Sequence, residues 1–244
     1  GFLEMQFSGP FSSLANTYGH VFNTNHGEAD FFDVVLNRRI LVALLPYRSK
    51  SPADVERMGK IIVASLKNMM GATLGNIGSS PFAKWLSTVE LRVTTSPSPC
   101  LVILDEVGYY TVNGMAMMAA QVRSLGFSMV YASQDLKAMT RLNPEEAQSI
   151  LANTNTKIFM RSEDSESIEL AVKMGGDAFK SRTADFERYV DDLGSSKWRE
   201  TDNISFEKSS RIDTLDLKSQ NSGKFTLVYK DIIIRGRGFY VDSP

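Results

Sequence analysis

The run Pro99–Gly108, P-C-L-V-I-L-D-E-V-G, constrains the fold of this chain more than any other stretch. Cys100–Leu104 is apolar throughout and too short for a free-standing helix. It is bounded by Pro97 and Pro99 on one side and Gly108 on the other. Such a run reads as a strand buried on both faces, as in parallel sheets covered by helices. It stops abruptly at Asp105-Glu106. Carboxylates at the C-terminal end of a buried strand stand where open α/β sheets hold their ligands. The alternative is an ordinary buried strand whose trailing acids cap the next helix.

Strands and helices alternate on both sides of this run. Ile40–Leu45 reads as a second core strand, separated by the turn Asn37-Arg38-Arg39 from the apolar F-F-D-V-V-L of residues 31–36. Ser51-Pro52-Ala53-Asp54 starts a helix, with serine at the cap, proline first and an acid in the first turn. Val55, Met58, Ile62, Leu66 and Met69 then recur on one face. Gly71–Ser80 ends that helix; it is glycine-rich but lacks Gly-Lys-Ser/Thr, and so reads as a flexible connection. Val112–Leu125 predicts a helix with Met115, Met118, Ala119 and Val122 inward, closed by Gly126. Phe127–Ala132 is the next strand and ends in Ser133-Gln134-Asp135. A helix opens at Asn143 and runs to about Ala152, Lys157–Arg161 is a fourth strand, and a helix from Asp164 ends at Gly175-Gly176. This alternation implies right-handed crossovers and a mostly parallel sheet.

The ends are less regular. Residues 1–30, rich in Gly, Ser, Asn and Phe, read as loop-dominated, with a short helix near Phe11–Tyr18. From Phe179 to Gly223 the period decays into polar sequence, expected to be a surface excursion with little core. Lys224–Tyr229 and Ile232–Ile234 resume as strands, an antiparallel pair at one sheet edge.

Composition removes several alternatives. Of 244 residues 43% are hydrophobic and 23% charged, as in an ordinary globular domain. A net charge of −1 gives no global basic field to attract nucleic acid. With Cys100 as the one cysteine there is no disulfide framework, and a reducing compartment is expected. His20 and His26 sit alone in a polar stretch, so no zinc site of usual spacing can be built. No apolar run approaches the length that spans a bilayer, and no signal peptide is visible. A chain that opens on Gly1 is expected to be a piece of a longer protein.

Asp105-Glu106 has the form of a Walker B motif. In that chemistry the first acid holds the water shell of Mg²⁺ at a nucleoside triphosphate, and the second polarises the attacking water. Gln134 ends the next strand, where its amide could sense a γ-phosphate or orient that water; a plain polar strand end reads the same. Arg123 lies at the far end of the crossover helix, on the opposite edge of the sheet from Glu106. There it could serve a neighbouring subunit as an arginine finger, or simply be a cation favoured at a helix C-terminus.

Three stretches, L-V-I-L-D-E-V-G, Q-V-R-S-L-G-F-S-M-V-Y-A-S-Q-D-L and I-L-A-N-T-N-T-K-I-F-M-R, resemble the type IV secretion coupling proteins, closest to the Dot/Icm (type IVB) kind. The likeness covers Asp30–Gly176. It implies a RecA-like α/β fold, with a mostly parallel sheet flanked by helices and a C-terminal antiparallel strand pair. On that reading 31–178 is the ATPase core, 1–30 the exit of an all-α insertion, 179–222 the excursion and 223–244 the edge strands. The resemblance further implies ATP and Mg²⁺ as cofactors. Asp105 would hold the metal through water, Asp105 and Ser133 would face the nucleotide, Glu106 and Gln134 would be catalytic, and Arg123 would act in trans. It implies a hexamer at the cytoplasmic face of a bacterial inner membrane, anchored through a preceding segment. Adaptor and channel proteins would be partners, and protein effectors, DNA–relaxase complexes or both would be cargo. One departure matters: no G-x-x-x-x-G-K-[S/T] occurs, so this chain alone is expected to hydrolyse nothing.

Two other readings compete. A DNA translocase of the chromosome-segregation type would show DNA-stimulated, salt-sensitive turnover. A non-catalytic platform would bind adaptors through the polar excursion, but has no need of Asp105, Glu106, Arg123 and Gln134 together.

Overall fold

The computed structural model describes residues 27–45, 51–75, 98–183, 186–190, 194–200 and 204–239, with a few isolated positions before residue 27. For some of these, Arg123 among them, only the backbone path is described. The helix expected near Phe11–Tyr18 lies largely outside the described residues, as does the end of the Gly71–Ser80 connection. The chain forms two compact units, Gly1–Thr154 and Asn155–Pro244.

In the first unit, α1 (Phe31–Leu36) is capped by the Asp30 carboxylate, which accepts from Phe32 N at 2.9 Å. The long helix α2 (Pro52–Gly75) starts where proline and Asp54 place it. Its apolar stripe is buried at Val55, Met58, Val63, Leu66 and Met69. β1 (Cys100–Leu104) pairs in parallel with β2 (Phe127–Tyr131), Leu104 opposite Tyr131. Between them run a 3-10 turn (Val107–Tyr109), α3 (Met115–Gln121) and a second 3-10 turn (Val122–Leu125). After β2 come α4 (Leu136–Thr140), capped by Asp135, and α5 (Pro144–Asn153), capped by Asn143. Leu104, Val107, Met115, Met118, Phe127 and Ile150 join one core with the α2 stripe.

Ile40–Leu45 departs from the expectation of a core strand. It forms no regular element and pairs with no described strand, and Ile40 and Leu44 are exposed. Apolar composition marks it as strand-like, but a strand exists only where a neighbour's edge takes up its hydrogen bonds.

In the second unit, β3 (Thr156–Phe159) pairs antiparallel with β8 (Lys224–Tyr229), which pairs antiparallel with β9 (Ile232–Arg237). The C-terminal strand pair thus takes a third member. α6 (Ser165–Gly175), capped by Asp164, packs beneath it through Ile168 and Ala171. The stretch read as a polar excursion is built as paired strands. β4 (Asp177–Thr183) lies against β7 (Ile204–Ser210), and β5 (Phe186–Val190) against β6 (Ser196–Glu200). It also feeds the core: Ile212 is fully buried, and Leu217 on the short α7 (Thr214–Lys218) nearly so. Two apolar residues five apart carry too little period to be read as core from sequence.

Candidate functional site

β1 and β2 run in the same direction, so Asp105-Glu106 and Ser133-Gln134 leave the sheet side by side at its C-terminal end. The ladder continues past the strands, Ala132 N donating to Leu104 O at 2.9 Å and Val107 N to Ala132 O at 3.0 Å. These two bonds fix the loop that carries the acids against the loop that carries the glutamine. The chain turns sharply between them, because Glu106 adopts a left-handed conformation (φ 52°, ψ 42°). A non-glycine residue there costs on the order of 1 kcal/mol and persists only where its surroundings hold it.

What holds it is visible. Glu106 N donates to Asp105 Oδ1 at 3.0 Å, orienting the first carboxylate. The buried Tyr110 hydroxyl donates to the Asp105 carbonyl. Burial first, then the Asp105 and Glu106 charges, pushes the Tyr110 phenol up to about 12, so it stays a donor at neutral pH. Gly108 is buried with its Cα against α4; a Cβ there would sit 1.8 Å from the Ala138 carbonyl oxygen. Only glycine lets the 3-10 turn lie this close to the helix.

The side chains then meet. Gln134 Nε2 donates to Glu106 Oε1 at 2.7 Å, while Glu106 Oε2 is buried and has no hydrogen-bond partner among the described residues. A carboxylate oxygen in that position can accept a proton or a water's hydrogen at no cost in existing bonds. Ser133 Oγ is turned away to Asp135 O at 3.1 Å. Asp105, Glu106 and Gln134 line one part of a cavity of about 690 Å³, whose remaining wall is mostly apolar, from α1, α2, β1 and residues 40–45. Its two cations, Arg38 and Arg39, are engaged, Arg38 with Ser98 O at 3.2 Å and Arg39 with Asp33 at 2.8 Å. Among the described residues no cluster of three or more acid, His or Cys side chains could cage a metal ion, so a divalent cation beside Asp105, which a backbone N–H orients, would keep most of its water shell.

Arg123 is not brought to this cluster. Its turn precedes β2, so its backbone lies at the N-terminal end of the strands, a strand length or about 16 Å from Gln134.

Two residues were missed in the sequence. Tyr110 carries no motif signal. Glu146 carries a misleading one: Asn143-Pro144-Glu145-Glu146 has capping-box spacing, in which the glutamate serves its own helix. Instead it accepts from Gly114 N at 2.7 Å and Ala116 N at 2.9 Å, at the start of α3.

Comparison with known proteins adds its relatives. A family model described as the TraM recognition site of TraD and TraG matches residues 99–216. The type 4 coupling protein DotL of Legionella pneumophila subsp. pneumophila (strain Philadelphia 1) is 46% identical over 243 residues, which are 99% of this chain and 30% of DotL. The chain therefore spans about a third of that relative's length. Two structures of the conjugative coupling protein TrwB share the fold. One, in complex with the ATP analogue ADPNP, has a TM-score of 0.54 and 8% identity over 88% of this chain and 44% of TrwB. The other, the unbound monoclinic form, has a TM-score of 0.50 and 11% identity over 75% of this chain and 38% of TrwB. Along 99% of its length this chain is thus similar in sequence to a coupling protein of type IV secretion systems, of the Dot/Icm-like kind, and it shares the α/β fold of TrwB.

Proposed function

We propose that this chain is part of an ATP-driven motor that delivers substrates to a type IV secretion channel, with nucleotide bound at the C-terminal ends of β1 and β2. The observation that carries the reading is the Gln134–Glu106 hydrogen bond of 2.7 Å beside the buried Glu106 Oε2, which has no partner among the described residues. Asp105 would hold Mg²⁺ through the ion's water shell, and the ion would supply positive charge to the phosphates. Glu106 accepts the proton of the attacking water through Oε2. Gln134 exchanges its bond to Glu106 for one to the γ-phosphate or the water, so that base and nucleotide are read by one amide. Ser133 rotates from Asp135 to face the nucleotide. Arg123, held away from its own site, completes that of the next subunit in a hexamer.

The phosphate cradle would be supplied by a G-x-x-x-x-G-K-[S/T] loop that these residues do not contain, so the chain by itself hydrolyses nothing. Partners are adaptor and channel proteins, with protein effectors, DNA–relaxase or both as cargo. The β4–β7 ribbon supports a docking role. Its register puts Phe179 and Phe206 on one face, and both are exposed, within the span that the TraM-recognition model matches.

The test is steady-state ATP hydrolysis by the full-length protein, at concentrations where rings assemble, against its Glu106→Gln variant. Turnover in the parent and its loss in the variant are expected. Equal inactivity of both would overturn the motor reading.

A further inference from the structure

The crossover helix α3 is short, and its start is unusual. Its N-cap is Gly114 (φ 88°), which offers no side chain to the free N–H groups of the first turn. A helix of seven residues has little stability of its own, and uncapped amides make it worse. The cap comes from elsewhere: Glu146 of α5, thirty residues on, accepts from Gly114 N at 2.7 Å with one oxygen and from Ala116 N at 2.9 Å with the other. These are charge-assisted bonds, and the carboxylate also faces the positive end of the helix dipole.

The glutamate is itself held. Glu146 N donates to Asn143 Oδ1 at 3.2 Å, and Asn143 Nδ2 donates to Asn113 Oδ1 at 2.9 Å. From α2, Lys67 Nζ donates to Asn113 O at 2.9 Å; from the end of β2, Tyr131 OH donates to Met115 O at 3.4 Å. Burial, and after it the Glu146 charge, pushes the Tyr131 phenol up to about 12, keeping that donor protonated. Three elements therefore converge on the turn that starts the helix, with Glu146 making the shortest of the bonds, 2.7 Å to Gly114 N.

The far end of the same rod carries Arg123. Val122 and Leu125, on either side of it, are buried in the core that also holds Met115 and Met118. From Gly114 to Arg123 the rod is about 14 Å long. The rod is thus held at its start by the Glu146 clamp and at its end by the core packing of Val122 and Leu125. The segment bearing the clamp is continuous with the site: Gln134 is followed by Asp135, α4, Asn143 and then Glu146.

We propose that Glu146 is a positioning residue for Arg123, its carboxylate fixing the start of the helix-and-turn rod that presents the arginine to a neighbouring subunit. This rests on the reading of Arg123 as an arginine finger. A finger must be placed to within about an ångström, since displacement on that scale costs about 10²-fold in rate.

The experiment is a double-mutant cycle on ATP hydrolysis by the full-length, assembled protein, with Glu146→Ala, Arg123→Ala and the pair together. Glu146→Ala is expected to lower kcat at least about tenfold with the KM for ATP unchanged. It should add nothing in the Arg123→Ala background, and Glu146→Gln, which keeps one acceptor, should recover part of the rate. Thermal unfolding and sedimentation of each variant report whether it folds and assembles. Should Glu146→Ala not fold, Glu146→Gln carries the same cycle. If the two losses multiply, or if lost rate merely tracks lost folded protein, Glu146 is structural and the proposal is wrong. If Arg123→Ala lowers turnover and Glu146→Ala does not, the clamp alone is refuted. If Arg123→Ala itself leaves turnover unchanged, the finger assignment fails first.

Discussion

Gln134 and Glu106, 28 positions apart, are joined by a 2.7 Å hydrogen bond across the ends of two adjacent parallel strands. Parallel pairing, with Leu104 opposite Tyr131, brings both to the same end of the sheet, Glu106 two residues past the register and Gln134 three. The bond occupies one oxygen of the carboxylate and leaves the other buried and without a partner among the described residues. A carboxylate and the amide that orients it are thus brought together by strand pairing.

Removing the amide should therefore separate binding from chemistry. In the full-length protein Gln134→Ala is expected to slow ATP turnover by roughly 10²-fold, the usual cost of one preorganised donor. The KM should change little. Initial rates across ATP concentration check this, and a variant at wild-type kcat would remove Gln134 from the proposed mechanism.

Gly108 sets how closely the acid-bearing loop can lie on α4. A Cβ placed 1.8 Å from the Ala138 carbonyl oxygen cannot be accommodated without moving backbone. Gly108→Ala is expected to lower stability by about 2 kcal/mol, within the range for overpacking. Urea unfolding measures it; an unchanged midpoint would mean that the loop and helix are not packed this closely.

Alkaline pH should weaken the fold through two tyrosines. The Tyr110 and Tyr131 phenols are each pushed up from the ordinary tyrosine value to about 12, burial being the larger cause in both. Unfolded, each loses its proton near pH 10; folded, each keeps it longer, so unfolding releases protons between the two values. Stability is full below about pH 10 and falls as pH climbs towards about 12. The fall should be shallower in a Tyr110→Phe, Tyr131→Phe double variant, followed by urea unfolding across that window. An equally steep fall would assign the alkaline loss to other groups.

Much of the first unit was legible in the residues. Pro52 and Asp54 start α2, Asn143 caps α5, and Gly126 closes the crossover before β2, each as local chemistry dictates, whereas the short α4 that Asp135 caps was not read. Less of the second unit was. Ile212 and Leu217 enter the core from a stretch whose polar strands conceal any period, and β3 takes an antiparallel partner more than sixty residues away.

The sequence by itself determined that Asp105, Glu106 and Gln134 end strands, because apolar runs and their polar stops act over a few residues. Tertiary structure alone decided which ends face one another. It bent Glu106 into a left-handed turn under Tyr110, and it sent Glu146 to the helix carrying Arg123's turn rather than its own. Hydrogen-bond partners separated by thirty residues are selected by strand direction and helix packing, to which no local pattern is sensitive.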